Sequence, residues 1–439
     1  MDKKNRSLLI KISIPIIILV GGFGIEKFLN RETKDTSKDV VVVCPDNTSL
    51  PQVDAKPLEV ISKKSYGNIE GLSDNFGFFG EDEAVVGVGI SNKEFYNKYI
   101  KDGVQISANK SQELYKDARG TVYKLNLSSL EKKSLNIDID TYMVRQNTKT
   151  ESGKLYHLNS IYAECIYDLK NDTSSVVRPP YSMNEKDLEG WSVDGECWIG
   201  YSKGEFKVYN YKDKSMEKVE LKRDDLIIRN IGFFSENRKV IYFVAQQNKS
   251  GNLTRQGIFR VNVASGKIEE VLVLSYVDKT CNKNVCASSS YLEEFYILDG
   301  GKRIVFRGKI NGGKRGLYIY NTDSEKFNLV VPDTEKLKPG LCCWNFWVSP
   351  DKTKIIYTNL NNENGEEQWD IYGAKINGDN LTSKVCLYKD IVLSGIIQWS
   401  ADSKKILFFA AKSEIKVKAG SLGEVTYNDK NEVNVITFK

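Results

Sequence analysis

A short phrase recurs along the chain and limits the fold more than any other feature. An alternating apolar or aromatic run ends on Asn or Asp, passes through a polar turn and opens a second alternating run. It reads VYKLN at 122–126, CIYD at 165–168, FKVYN at 206–210 and IFRVN at 258–262. It continues as LYIYN at 317–321, IYGAKIN at 371–377 and VTYN at 425–428. The closing Asn or Asp residues fall at 126, 168, 210, 262, 321, 377 and 428. Alternation puts successive side chains on opposite faces of a strand. Asn or Asp at the end of that strand starts a turn by bonding to the backbone two residues on. Each copy therefore predicts the third strand of a unit and the turn into a fourth, such as VCLY near Val385 or VITF near Val435. Spacings of this size suit one β-propeller blade per copy.

A second phrase lies upstream of most copies. WVSPDKTKIIY runs over 347–357, WSADSKKILFF over 399–409, FFSENRKVIYF over 233–243 and WSVDGECWIGY over 191–201, with a looser YILDGGKRIVF over 296–306. Each ends a first strand on an aromatic, turns through Ser-x-Asp or a relative and opens a buried second strand. Pro350 and the short acceptors Asp351, Asp402 and Asn237 fit type I turns, and Asp194 holds the matching place in its copy. These residues are expected to be structural. Trp191, Trp347 and Trp399 occupy one place in three copies, which assigns them to packing between blades. Trp344 stands outside the phrase and is the better candidate for a binding surface.

The two phrases resemble the TolB-like family of WD40-like propeller repeats, whose blades carry W-S-P-D-G-K-x-I-x-F followed by D-I-Y. The nearest match is SPDKTKIIY at 349–357 followed by WDIY at 369–372. The resemblance covers about 76–439 and implies an all-β propeller of about seven four-stranded blades. Two departures stand out: most copies lack the glycine after Asp, and the family is usually described with six blades. The copy ending at Asp168 has the weakest first strand, so six blades also fit. Closure has two solutions. The last blade contains only its own strands, or PLEVIS at 57–62 adds a strand and ties the ring shut, since an open sheet edge invites aggregation.

The first thirty residues have a different character. Lys3, Lys4 and Arg6 precede an apolar stretch from Leu8 to Ile25, broken by Lys11. That pattern predicts an uncleaved transmembrane signal-anchor in 1–30 with the N-terminus inside; a cleaved signal peptide ending near Gly22 and Gly24 is the competing reading. Residues 31–65 read as a polar stalk, with the Val run at 40–43 suited to a strand on the propeller edge. Residues 66–439 form the propeller, with an insertion at about 89–120 whose KEFYNKYI and SQELYKDA segments read as short amphipathic helices. Long insertions on a repeat scaffold often carry function.

The residues exclude more chemistry than they suggest. The chain has one histidine, His157, which rules out zinc sites with several His ligands and reads as a structural residue in a strand. The 63 Lys and Arg against 58 Asp and Glu leave a small, dispersed excess, so nucleic acid is not implied. Eight cysteines in an exported chain are compatible with disulfides. Cys281 and Cys286 are spaced to close a small loop, whereas vicinal Cys342 and Cys343 and the lack of C-x-x-C argue against a four-thiolate zinc site. No G-x-S-x-G elbow occurs, AGSLG at 419–423 lacking the first glycine. NNENGEE at 361–367 has Leu360 where a calcium loop would place its first ligand, and Asp138 with Asp140 reads as a hairpin tip. No catalytic residue, metal ligand or cofactor is assigned. The expectation is a non-enzymatic binding or scaffold propeller on the outer side of a cell membrane, facing a protein, peptide or envelope glycan. The rival is a hydrolase or lyase using carboxylates at the central channel.

Overall fold

The computed structural model describes residues 41–43, 53–69, 71–79, 82–99, 117, 121–135, 155–159, 164–168, 171, 173–177, 188–191, 197–210, 213–235, 238–249, 252–275, 290–310, 313–332, 345–361, 368–411, 413–418, 424–429 and 432–439. Two strands come first: β1 (Val41–Val43) and β2 (Val60–Asn68). The chain then builds successive antiparallel sheets, the architecture of a β-propeller. The first unit is β3 (Leu72–Phe79), β4 (Glu83–Val88), β5 (Thr121–Asn126) and β6 (Lys132–Ser134), with α1 (Asn92–Tyr99) between β4 and β5. The second is β7 (Leu155–Asn159), β8 (Glu164–Asp168) and β9 (Thr173–Val177). The third is β10 (Leu188–Trp191), β11 (Cys197–Ser202), β12 (Glu205–Asn210) and β13 (Ser215–Glu220).

The fourth unit is β14 (Leu226–Phe234), β15 (Val240–Lys249), β16 (Asn252–Asn262) and β17 (Ile268–Ser275). The fifth is β18 (Tyr291–Leu298), β19 (Arg303–Lys309), β20 (Arg315–Asn321) and β21 (Lys326–Pro332). The sixth is β22 (Phe346–Val348), β23 (Lys354–Asn361), β24 (Gln368–Asn377) and the first half of β25 (Asn380–Trp399). The second half of β25 opens a seventh unit with β26 (Lys405–Ala411), β29 (Glu432–Phe438) and β2. A hairpin of β27 (Ser413–Lys418) and β28 (Glu424–Asp429) stands between β26 and β29.

Six copies of the recurring phrase lie in β5, β8, β12, β16, β20 and β24, each flanked by two strands of its own sheet. Their closing residues bond as their chemistry dictates: Asn126 accepts from the Ser128 and Ser129 amides at 2.9 Å, and Asn321 from those of Asp323 and Ser324 at 3.0 and 3.1 Å. The seventh copy departs from expectation. VTYN lies in β28, paired only with β27, while the third strand of its unit is β29. Burial decides this, because Val433, Val435, Ile436 and Phe438 of β29 supply the apolar surface that seals the sheet against its neighbours. VITF is therefore a third strand and not a fourth. The fourth comes from the N-terminal segment, as β2 pairs antiparallel with β29 from Val60↔Phe438 to Asn68↔Glu432.

The units are sealed by shared apolar cores. Phe206 and Ile199 meet Phe243 and Phe259 between units three and four, and Leu274 and Ile258 meet Phe295 and Phe306 between four and five. Leu317 and Val331 meet Phe346 and Tyr357 between five and six, and Ile356 and Leu387 meet Ile406 and Phe408 between six and seven. Phe409 and Val433 then meet Phe78 and Leu125 of unit one, so the last unit joins the first. Every residue in these contacts is no more than 8% exposed, and burying one such side chain contributes about 1.5–3 kcal/mol.

The N-terminal segment straps three outer edges in succession. Val41–Val43 pairs in parallel with β21 of unit five, so the valine run does dock on a sheet edge. The Asp54 amide donates to the Lys384 carbonyl at 3.0 Å and the Leu58 amide to the Ser383 carbonyl at 2.6 Å, both on unit six, before β2 covers unit seven. β2 therefore begins inside the stretch expected to be stalk. Residues 1–40, where the anchor is expected, lie outside the described residues, and among the described residues no helix is long and apolar enough to cross a membrane.

Candidate functional site

First strands of neighbouring units touch one another, β10 with β14, β14 with β18, and β25 with β3. That ring of contacts makes them the inner strands, lining the axis. Antiparallel order also sends every loop between second and third strands to one face. This face carries α1, inserted between β4 and β5, and the β27–β28 hairpin, inserted between β26 and β29; α1 contacts β28. KEFYNKYI thus forms a helix as expected, with Ser91 capping its start at 3.1 Å from the Glu94 amide. Lys98 and the Tyr99 hydroxyl both bond Asp117, at 2.5 and 2.6 Å. Burial and Asp117 together push the Tyr99 hydroxyl up to about 12. Of SQELYKDA only Asp117 is described.

The same face holds a polar constellation between units four and five. Two inner strands are bulged there: β14 between Ile228 and Asn230, and β18 between Leu292 and Phe295. A bulge re-aims side chains that a regular ladder would alternate. On β14 it exposes Arg229, whose Nε donates to buried Gln246 at 2.7 Å. On β18 it presents Glu293 and Glu294 in succession. Glu293 is held by Arg307, itself buried, and by Arg315 at 2.8 Å. Glu294 is exposed and has no hydrogen bond or ion pair among the described residues.

Glu294 nevertheless titrates as a group crowded by protein. Desolvation raises its carboxyl to about 7, opposed by the Arg307 charge and reinforced by that of Glu293. Solvent access and desolvation coexist where a side chain reaches water but is crowded by protein on its other sides. Tyr296, two residues on, is pushed up by burial and by Glu294. The bulge is fixed from both sides. Gln256, 3% exposed, donates to the Leu292 carbonyl at 3.1 Å, and its Oε1 has no partner. Phe295 lies against Gly232 of β14, where a Cβ would stand 2.1 Å from its ring.

A second charged group flanks this site. Arg223 grips Asp225 through two bonds of 2.7 and 2.8 Å, and Gln247 donates to the same carboxylate at 2.6 Å. Arg223 first, and Gln247 after it, hold Asp225 down at about 2. Arg255 reaches Glu270 at 3.0 Å. Asp225 is thus a fixed anion inside a bonded network.

The residues singled out in the sequence lie elsewhere. Ser349 donates to Asp351 at 2.6 Å and the Thr353 amide does so at 3.0 Å; Ser400 and the Lys404 amide treat Asp402 alike, at 2.6 and 3.0 Å. Against the burial that would raise them, these bonds hold both carboxyls below their usual value. The two turns are joined, because the Asp351 amide donates to Ser403 at 2.9 Å. Trp399 donates to the Trp347 carbonyl at 3.0 Å and both rings border the core between units six and seven. Trp191 ends β10, opposite Trp198. Asp194, Asn237, Trp344, Cys281 and Cys286 lie outside the described residues, as do Asp138, Asp140 and most of the acidic loop at 361–367. His157 is in β7, opposite Ile166. Cys197 and Cys386 form no disulfide among the described residues, and the described residues contain no cluster of three or more metal-ligating side chains. The sequence reading missed Arg229, Glu293 and Glu294. The one available signal was EE beside an aromatic in YLEEFYIL, where a regular strand would have sent one of the pair into a core.

No family model and no curated protein matches the chain by sequence. Several solved structures are similar in shape. An oligogalacturonate lyase in complex with manganese is 9% identical with a TM-score of 0.49, over 89% of this chain and 99% of that one. An oligogalacturonate lyase from Vibrio parahaemolyticus is 8% identical with a TM-score of 0.39, over 72% and 96%. A putative TolB from Agrobacterium tumefaciens is 11% identical with a TM-score of 0.37, over 66% and 87%.

Proposed function

We propose that the chain is a seven-bladed, extracytoplasmic binding propeller held at the cell membrane by its first thirty residues. It presents the face bearing α1 and the β27–β28 hairpin to a protein, peptide or envelope glycan. One observation carries this reading: the carboxylates near the axis are already committed. Glu293 is neutralised by Arg307 and Arg315, and Asp225 by Arg223. Beside Glu294 stand Glu293, which is ion-paired, and Tyr296, whose hydroxyl burial pushes up, whereas acid–base hydrolysis or elimination needs a free proton donor and an acceptor in reach of one bond. What remains is a charged surface on the same face as α1 and the β27–β28 hairpin.

The second reading is the hydrolase or lyase, and the raised carboxyl of Glu294 is what favours it, since a general base works best with a pKa near the ambient pH. In situ crosslinking of the full chain in its native envelope, read by mass spectrometry, separates the two. The binding reading expects one dominant partner whose capture is lost when 89–120 is deleted, at unchanged melting. Capture that ignores the deletion removes this face from the proposal. Release of product from an envelope extract, abolished by Glu294→Gln, establishes the enzyme instead.

A further inference from the structure

The closing asparagines of the repeat are not chemically equal. Asn126 and Asn321 use their side-chain oxygens in the turns that follow them, Asn262 accepts from the Ser265 amide and hydroxyl, both at 3.0 Å, and the Asn210 side-chain amide donates to Asp213 at 3.3 Å. Asn377 is exposed, and its side chain forms no hydrogen bond among the described residues. Turn length is the cause. Asn377 pairs with Asn380, so the loop holds only Gly378 and Asp379 and leaves no room for the wider Asx turn of the other copies. The following residue differs too: Leu127, Tyr211, Val263 and Thr322 stand after the other asparagines, and glycine stands after Asn377. Gly378 takes a left-handed φ of +58°, and no atom lies within 4 Å of the place its Cβ would occupy. Its amide donates no hydrogen bond among the described residues.

We propose that Asn377 is a site of spontaneous deamidation. The Gly378 nitrogen, its proton taken by hydroxide, attacks the carbonyl carbon of the Asn377 side chain; a cyclic imide forms and the side-chain nitrogen leaves as ammonia. Water then opens the imide at either carbonyl. One opening leaves aspartate at 377, and the other leaves isoaspartate, whose backbone runs through the β-carbon and is longer by one methylene. Both partners of the first step are unbonded and exposed, only the last pair of the ladder has to open for ring closure, and the missing Cβ at 378 removes the clash that shields the other asparagines. The change acts on a clasp between units five and six. Arg303 of β19 donates to the Gly378 carbonyl, Asn321 of β20 to the Asp379 carboxylate at 3.1 Å, and Asn328 of β21 to the Asp379 carbonyl at 2.8 Å. A two-residue hairpin has no slack, so the added methylene displaces Gly378 and Asp379 from these donors.

The test ages the full chain in detergent at mildly alkaline pH and follows each asparagine by peptide mass spectrometry and by isoaspartyl methyltransferase labelling. Label is expected at 377, with a rate that rises about tenfold per unit of pH as the deprotonated amide does, and none is expected at 126, 210, 262 or 321. Asn377→Gln should abolish it. Asn311 and Asn364 also precede glycine, lie outside the described residues and provide internal clocks. Conversion of both clocks with 377 intact overturns the proposal, as does conversion of Asn126 or Asn321 at the rate of Asn377; both readings come from the unmodified chain and stand even if the variant fails to fold. The aged chain should also melt below Asn377→Asp, which carries the charge without the methylene. Equal melting of the two, at full conversion of 377, overturns the loosening of the clasp.

Discussion

Asp351 and Glu294 show how context gives one functional group two fates. Asp351 is a turn acceptor, fed by Ser349 and Thr353 and reached by Lys354 at 3.3 Å. Asp351→Ala should therefore lower stability by about 1 kcal/mol, the worth of a local side-chain bond, measured as a shift in the denaturation midpoint. Glu294 has the reverse linkage. Burial pushes its carboxyl up to about 7 when folded, above an ordinary glutamate, with Arg307 from β19 and Glu293 and Tyr296 from its own strand acting on it. Between the ordinary glutamate pKa and 7 the folded state binds more protons than the unfolded one, so this group's contribution to stability falls as pH rises through that window. Glu294→Gln should remove the fall: the variant melts higher than the parent at pH 8, and the gap closes towards pH 4.

At the scale of elements, β2 is the strand on which closure depends. It is the outermost strand of unit seven, it comes from the other end of the chain, and its removal bares β29 along its length. Deleting the chain through Asn68 should abolish a single cooperative melt and produce aggregation visible by light scattering, since an open apolar edge recruits other strands. Deleting 89–120 should behave differently. β4 and β5 pair from Glu83↔Asn126 to Val88↔Thr121 without help from the insertion, so with a two-residue turn put in its place to join the strands, melting should stay close to that of the parent while any function of the α1 face is lost.

Across the whole molecule, stability and the candidate site share one contact. Phe295 belongs to the core between units four and five and rests on Gly232 of the neighbouring inner strand. A methyl group at 232 would meet the tip of the Phe295 ring, and that ring is buried in the core between units four and five, so it has little space to move aside. Gly232→Ala should destabilise the chain by about 1–3 kcal/mol, as overpacking does, and should move the β18 bulge. The check is thermal melting together with the Glu294 titration followed by carboxyl NMR, where a return towards the ordinary glutamate value marks a bulge displaced into solvent.

The strand class, the repeat and the Asx turns at Asn126 and Asn321 were legible in the chain, because each is local: a two-residue alternation, a phrase recurring along the chain, a side chain bonding its own backbone. The helix at 92–99 was legible for the same reason. VTYN misled because a hairpin strand and a blade strand have the same alternation, and only the pairing of β26 with β29 separates them. The partner of the closing strand was left open between two solutions, since β2 and β29 are far apart in sequence and nothing local joins them. Arg229, Glu293 and Glu294 were invisible for a related reason. A bulge is a property of two strands together, and whether a glutamate meets an arginine or the open axis depends on which neighbour takes the arginine first. Alternation along one strand determined that this chain would be sheets; register between strands decided where its charges stand.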